Sequence, residues 1–543
     1  MQNHQLKVNK LMSLSKLSDK KLSTSAYSSG LIGLVLILTL LFTYVFGWVW
    51  MWLGLGINRV IFPLSVLCSS IVSGLFFRHN KASILEIAAA VLIILLCVMG
   101  TGLTDDYSFD GNTYHQEIII YFLDGWNPIE RYVPTEECSP WSIHYAKGLE
   151  LAASCIASTT GSIETGKAAN LFLILGTGFL SFFYVSSKFR QLSNVSKYLI
   201  VLVVTLNVVG MAQVLTFYND YAIYFLGVLT IICSAIYTET CDKKWLFLLS
   251  GLIILGAGIK FTVFFYQGLT GLFVIIWIAC LKRYRNAFNI TLSLLAGCIL
   301  GAIIFGYNPY VTNTFAGGNP FYPLIGSNET DIMGINTPDI FQSHGRIYNF
   351  FKSLASISFP KYGERIGGFG PLMPLMLLLS LVNVGGYTYG HKNGPARKYI
   401  WLYISAASIL SCFCFEQTWW ARYINIIWLV IVSGVISGIV SKNKYLKISG
   451  YSVGIMAIIS GTIAFAGGVW QGRKYQQMRE AIYDQVDKEA YILDCWISTE
   501  RHFKEHGIRT IEIYEIPEDS TLRAVPFFGT GDEPGTPIAV IKK

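Results

Sequence analysis

The chain is 543 residues long, 53% hydrophobic and only 14% charged, with a formal net charge of +8. So little charge cannot wet the surface of a soluble globule of this length, and the apolar runs are too many for one core; an ordinary soluble domain is excluded. The basic excess does not describe a nucleic-acid interface, because Lys and Arg stand in short clusters between apolar runs, the distribution of membrane topology.

In chain order, residues 1–30 are polar and Lys-rich, and the apolar run that follows lacks a cleavage signature, so they read as an uncleaved cytoplasmic tail. Crossing the hydrocarbon takes about 20 mostly apolar residues, and about thirteen runs approach that length. They lie near 31–50, 59–77, 83–102, 168–187, 197–215, 221–238, 245–260, 263–281, 287–305, 366–387, 399–415, 423–441 and 447–468. The expectation is an all-α polytopic membrane protein of about 11–13 transmembrane helices spanning residues 31–470.

Basic clusters fall in alternate short loops: Arg78 with Lys81, Lys188 with Arg190 and Lys197, Lys243 with Lys244, Lys282 with Arg283 and Arg285, Lys392 with Arg397 and Lys398, and Lys442 with Lys444 and Lys447. The positive-inside rule puts these on the cytoplasmic side with the N-terminus, in a cell (inner) membrane. The other side receives the long loops 103–165 and 307–364, the turn Phe217-Tyr218-Asn219-Asp220 and the turn from Glu416 to Arg422. It also receives residues 471–543, where polar helical segments alternate with strand-like Ala490–Ile497 and Arg509–Tyr514. That segment reads as a small extracytoplasmic α/β domain.

The loop after the third run gathers Asp105, Asp106, Asp110, His115 and Glu117 just beyond an apolar span. A carboxylate beside apolar surface is harder to ionise and so becomes a stronger general base. The aromatic segment 121–128 of the same loop, with Trp126, offers ring faces of the kind that suit the membrane interface or sugars, and Trp420 stands beside Arg422 in the last turn. Asn219 and Asp220 share a tight turn; Lys260, Arg365 and Arg422 stand at the outer ends of spans, where Arg can hold a phosphate in a two-pronged grip. His115 could join Asp110 on a divalent metal, but one His among scattered carboxylates supports this only weakly, so no metal ligands and no cofactor are assigned.

At these residues the chain resembles the GT-C superfamily of polytopic membrane glycosyltransferases. The resemblance rests on Asp110 followed by Tyr114-His115 and Gly125-Trp126-Asn127-Pro128, then Asn219-Asp220, Lys260-Phe261-Thr262, Asn319-Pro320-Phe321-Tyr322-Pro323 and Trp420-Ala421-Arg422-Tyr423, in an order covering roughly residues 83–440. The acidic loop follows the third predicted span here, whereas in the family it usually follows the first. The resemblance implies a polyprenyl-phosphate-linked sugar as donor, an acceptor hydroxyl on a glycan, lipid or protein, inversion at the anomeric carbon, and an outer-loop Asp as base. Asp110 would be that base, with Asp105 and Asp106 competing and His115 nearby. Lys260, Arg365 and Arg422 would bind the carrier phosphate. Asp220 would position the acceptor or a metal, with Asn219, Tyr114, Trp126 and Trp420 around the substrates. A polysaccharide polymerase or ligase, or a transporter or flippase of lipid-linked sugars, remains the alternative. Nearly all predicted spans lack the mid-membrane charges a transporter would use.

Overall fold

A computed structural model describes residues 23–77, 83–136, 138–325, 336–486, 488–493, 496–515, 522–528 and 538–542. Residues 1–22 of the predicted tail, Arg78 and Lys81 of the first basic loop, 326–335 of the second long loop and Asp487 lie outside them.

Among the described residues, seven helices are long and apolar enough to cross a membrane: Thr24–Trp52, Ile84–Thr101, Ile163–Lys188, Ala222–Thr240, Phe261–Cys280, Tyr284–Ile303 and Lys444–Tyr483. Shorter apolar helices occupy Ile61–Phe76, Asn194–Thr205, Lys244–Ile259, Met373–Tyr389 and Asn425–Val440. Apolar side chains around most of each circumference give these segments no strongly polar stripe, so they pack with one another and expose further apolar surface. Small residues let the closest pairs approach: a Cβ on Gly33 would lie 2.9 Å from the backbone oxygen of Gly176.

Three departures from the predicted runs have a visible cause or consequence. The first helix begins at Thr24, inside the predicted tail, because the Ser23 hydroxyl accepts from the Ala26 N–H and caps it. The run 197–215 is two helices, Asn194–Thr205 and Val208–Gln213, since Asn207 accepts from the Gly210 N–H at 2.9 Å and starts a new helix. The last run does not stop at 468 but continues unbroken through Lys444–Tyr483, 40 residues. At 1.5 Å per residue such a helix is about 60 Å long, roughly twice the hydrocarbon thickness.

That long helix carries the C-terminal domain. Its sheet has the order β2-β1-β4-β3, with β1 (Glu489–Leu493) parallel to β2 (Arg509–Glu512). Strands β3 (Leu522–Pro526) and β4 (Ile538–Lys542), neither of them foreseen, pair antiparallel, and β4 also pairs antiparallel with β1. A parallel pair needs a crossover, supplied by the helix Ile497–Glu505. Ile482 and Tyr483, from the end of the long helix, share a core with Ala490, Ile492, Phe503, Ile508, Phe527 and Ala539. The domain is therefore built onto the last helix rather than tethered to it.

Candidate functional site

Four charged side chains from four distant segments meet beyond the ends of the apolar helices. Asp110 closes the acidic loop and leads into a single wide turn, Gly111–His115, that continues as the helix Gln116–Leu123. Gly111 is required there: a Cβ would collide with Asp106 Oδ2 and Ser108 Oγ. Asp220 ends the turn before Ala222–Thr240. Lys260 is the single extended residue between the helices Lys244–Ile259 and Phe261–Cys280. Arg422 lies in the turn that precedes Asn425–Ile427.

The Lys260 ammonium is 2.6 Å from Asp220 Oδ1, and Arg422 Nη1 is 3.2 Å from Asp110 Oδ2 and 3.8 Å from Asp220 Oδ2. Gln213 braces Asp220, giving its Nε2 to Oδ2 at 3.3 Å while its Oε1 accepts from the Tyr221 N–H. Asn425 ties two of the turns by donating to the Asp220 and Arg422 carbonyls. Burial alone would raise the Asp220 pKa, but Lys260 and then Arg422 outweigh it and hold the carboxyl below its ordinary value. Burial likewise disfavours the Lys260 ammonium, and Asp220, ahead of Tyr423, more than restores it. The side chain of Asp220 is fully enclosed while that of Asp110 is 24% exposed, so Asp110 is the carboxylate a substrate can reach.

Aromatic rings surround the cations. The Arg422 guanidinium sits 4.0 Å above the Trp420 ring and 5.2 Å from the Tyr218 ring, and Lys260 is 5.7 Å from the Tyr423 ring. Arg422 Nε and Trp420 Nε1 are buried donors without an acceptor among the described residues. Such orphaned donors are costly unless something fills the space beside them.

The other two aspartates have different partners. Asp106 is fully buried, and its oxygens accept from the backbone N–H groups of Ser108 at 2.7 Å and Phe217 at 2.8 Å. Burial raises its pKa against Lys167 and these hydrogen bonds. It shapes the loop and offers no free oxygen. Asp105 pairs with Arg479 at 3.2 Å, and Glu164 with Lys167 at 2.5 Å. Asp105, Glu164 and His502 place ligand atoms within 4.8 Å of one another and could hold a metal ion. Lys167 and Arg479 already supply positive charge to those carboxylates, and burial, ahead of Arg479, holds His502 neutral.

His115 does not meet Asp110; its Nδ1 is 2.5 Å from Glu150 Oε1 in a buried pair, with the Tyr114 ring tilted against it at 4.2 Å. Asn219 gives its amide to the Ile259 carbonyl at 3.4 Å, beside Lys260. Trp126 is a core residue: it stacks on Phe122 and donates to the Arg131 carbonyl. Arg365 is exposed and donates to Asn336 at 2.8 Å, with no ion pair to the cluster among the described residues. The structure thus gathers Asp110, Asp220, Lys260, Arg422 and Trp420, sets Asp105, Asp106 and His115 in supporting networks, and leaves Trp126 and Arg365 apart.

Sequence reasoning passed over Glu150 and Arg479. Glu150 stands alone among small apolar residues in the helix Gly148–Thr160, and a lone acid in such a helix is itself a signal. Arg479 carried none, since an Arg on a polar helix is ordinary until its burial is known. Comparison with protein-family models, with curated proteins and with solved structures finds no match to this chain.

Proposed function

We propose that this chain is a polytopic membrane glycosyltransferase of GT-C type. It transfers a sugar from a polyprenyl-phosphate carrier to an acceptor hydroxyl on the non-cytoplasmic face of the cell membrane. One relationship supports this most directly: a reachable carboxylate, Asp110, paired with Arg422, which shares Asp220 with a second cation, Lys260, at the ends of apolar helices. Chemistry on a lipid-linked phosphate needs that combination at headgroup depth.

In the proposed reaction the acceptor O–H gives its proton to Asp110 Oδ1, since Oδ2 faces Arg422. The acceptor oxygen bonds to the anomeric carbon as the bond from that carbon to the phosphate oxygen breaks, and the configuration inverts. Polyprenyl phosphate leaves with the bonding electron pair. Its charge is met by Lys260, by Arg422, and by the unused donors Arg422 Nε and Trp420 Nε1. Asp220 keeps Lys260 charged and aimed when the phosphate is absent.

The test is transfer by the purified protein in proteoliposomes supplied with a series of radiolabelled polyprenyl-phosphate sugars. The expected product carries the inverted anomer; retention of configuration, or no transfer from any such donor, would overturn the proposal.

A further inference from the structure

The C-terminal domain grips the residues on both sides of Asp110. Arg479, near the end of the long last helix, is 1% exposed. One guanidinium nitrogen is 3.2 Å from Asp105 Oδ2, and the other donates to Asn112 Oδ1 at 2.6 Å. The guanidinium lies against two rings, 4.4 Å from Tyr475 and 4.7 Å from Phe527, so its direction is set by packing.

Asn112 passes that constraint into the loop. Its Nδ2 donates to the carbonyls of Asp106 and Ser108, both at 2.8 Å, closing the chain into a ring that contains Asp110. Ser498, from the crossover helix, donates to the Asn112 carbonyl at 2.5 Å. Phe109, the residue before Asp110, meets Trp496 and Phe528 edge-on, with ring centroids 5.4 and 5.9 Å apart. Every one of these partners, Arg479, Ser498, Trp496 and Phe528, lies beyond the apolar stretch of the last helix.

We infer that Arg479 is a positioning residue for Asp110, and that the docked C-terminal domain is an integral part of the active site. The inference rests on the proposed glycosyl transfer for its catalytic meaning, while the clamp itself is independent of it. Arg suits the task because its planar fork reaches two acceptors at once, which a Lys ammonium on a flexible stem does not hold in one geometry. Losing that constraint displaces the base, and a misplacement of about 1 Å can cost roughly a hundredfold in rate.

Two measurements on the full-length protein decide it. The first is hydrogen–deuterium exchange of Arg479→Gln. Exchange in residues 105–116 should quicken by roughly tenfold or more, with segments around Lys260 and Arg422 unchanged. Unchanged exchange in 105–116 would overturn the clamp whatever the reaction. The second is a double-mutant cycle on transfer. Arg479→Gln should lower kcat by about ten- to a hundredfold with the donor KM unchanged, Arg479→Lys should recover part of it, and neither should lower the residual rate of Asp110→Asn further. An equal loss in both backgrounds would mean a general structural role and overturn the positioning role. Ser498→Ala, which removes one hydrogen bond, is the milder second variant, with a several-fold loss only when Asp110 is present. Absence of transfer by the wild type would count against the proposed function alone, and exchange would still decide the clamp.

Discussion

Arg422 faces two carboxylates at once, 3.2 Å from Asp110 and 3.8 Å from Asp220, while stacked on Trp420. It therefore couples the reachable acid of the cluster to the enclosed one. Replacement by Lys keeps the charge and loses both the fork and the stacking. A charge-assisted hydrogen bond contributes about 1.5–3 kcal/mol. Arg422→Lys should thus raise the donor KM roughly ten- to a hundredfold, measured by initial rates against donor concentration.

Asp220→Asn removes the enclosed partner of Lys260. Breaking a buried ion pair costs about 3–5 kcal/mol, and the low end applies because the Lys260 side chain is 12% exposed. The sign with pH follows from the depressed pKa of Asp220. Its stabilisation is present above the unfolded carboxyl value of about 3.9 and is lost as the pH falls through its lower folded value. Thermal melting should show the full gap between wild type and Asp220→Asn at pH 6, closing well below pH 4. A gap that widens on acidification would contradict this.

Gly111→Ala should destabilise the acidic loop, since the added methyl group has no room beside Asp106 and Ser108. Overpacking of this kind costs about 1–3 kcal/mol. A melting temperature equal to the wild type would show that the loop relaxes freely.

Glu150→Ala strands the buried His115 ring nitrogen that it now meets at 2.5 Å. An unpaired buried polar group costs about 1–3 kcal/mol. The melting temperature should fall, while kcat per folded molecule falls much less than in Asp110→Asn. A loss of kcat equal to that of Asp110→Asn would move His115 and Glu150 into the chemistry.

The helices and the charged ends of the apolar runs were legible because hydrophobic run length and a charge at its border are local signals. Asp220, Lys260 and Arg422 all stand at such borders. The break at Asn207 was missed because an Asn in an apolar run looks tolerated until its side chain caps a new helix. The residues around Asp105, Asp106 and Asp110 did not separate the three, and only the family resemblance favoured Asp110. The partners that set them apart in the structure lie far along the chain: Arg479 lies 374 positions from Asp105, and Arg422 lies 312 from Asp110. No periodicity encodes such pairings; Trp126 instead settles into local contacts with Phe122 and Arg131, and Arg365 stays exposed beside Asn336.

The most direct test of Asp110 as the base is sugar transfer from a radiolabelled polyprenyl-phosphate donor by Asp110→Asn beside wild type in proteoliposomes, corrected for folded protein. The side chain is partly exposed and makes one ion pair among the described residues, so the variant should fold. A positioned general base is worth about 10²–10⁴ in rate, and a loss of that size with an unchanged donor KM is the predicted result. Undiminished transfer by the folded variant would contradict it.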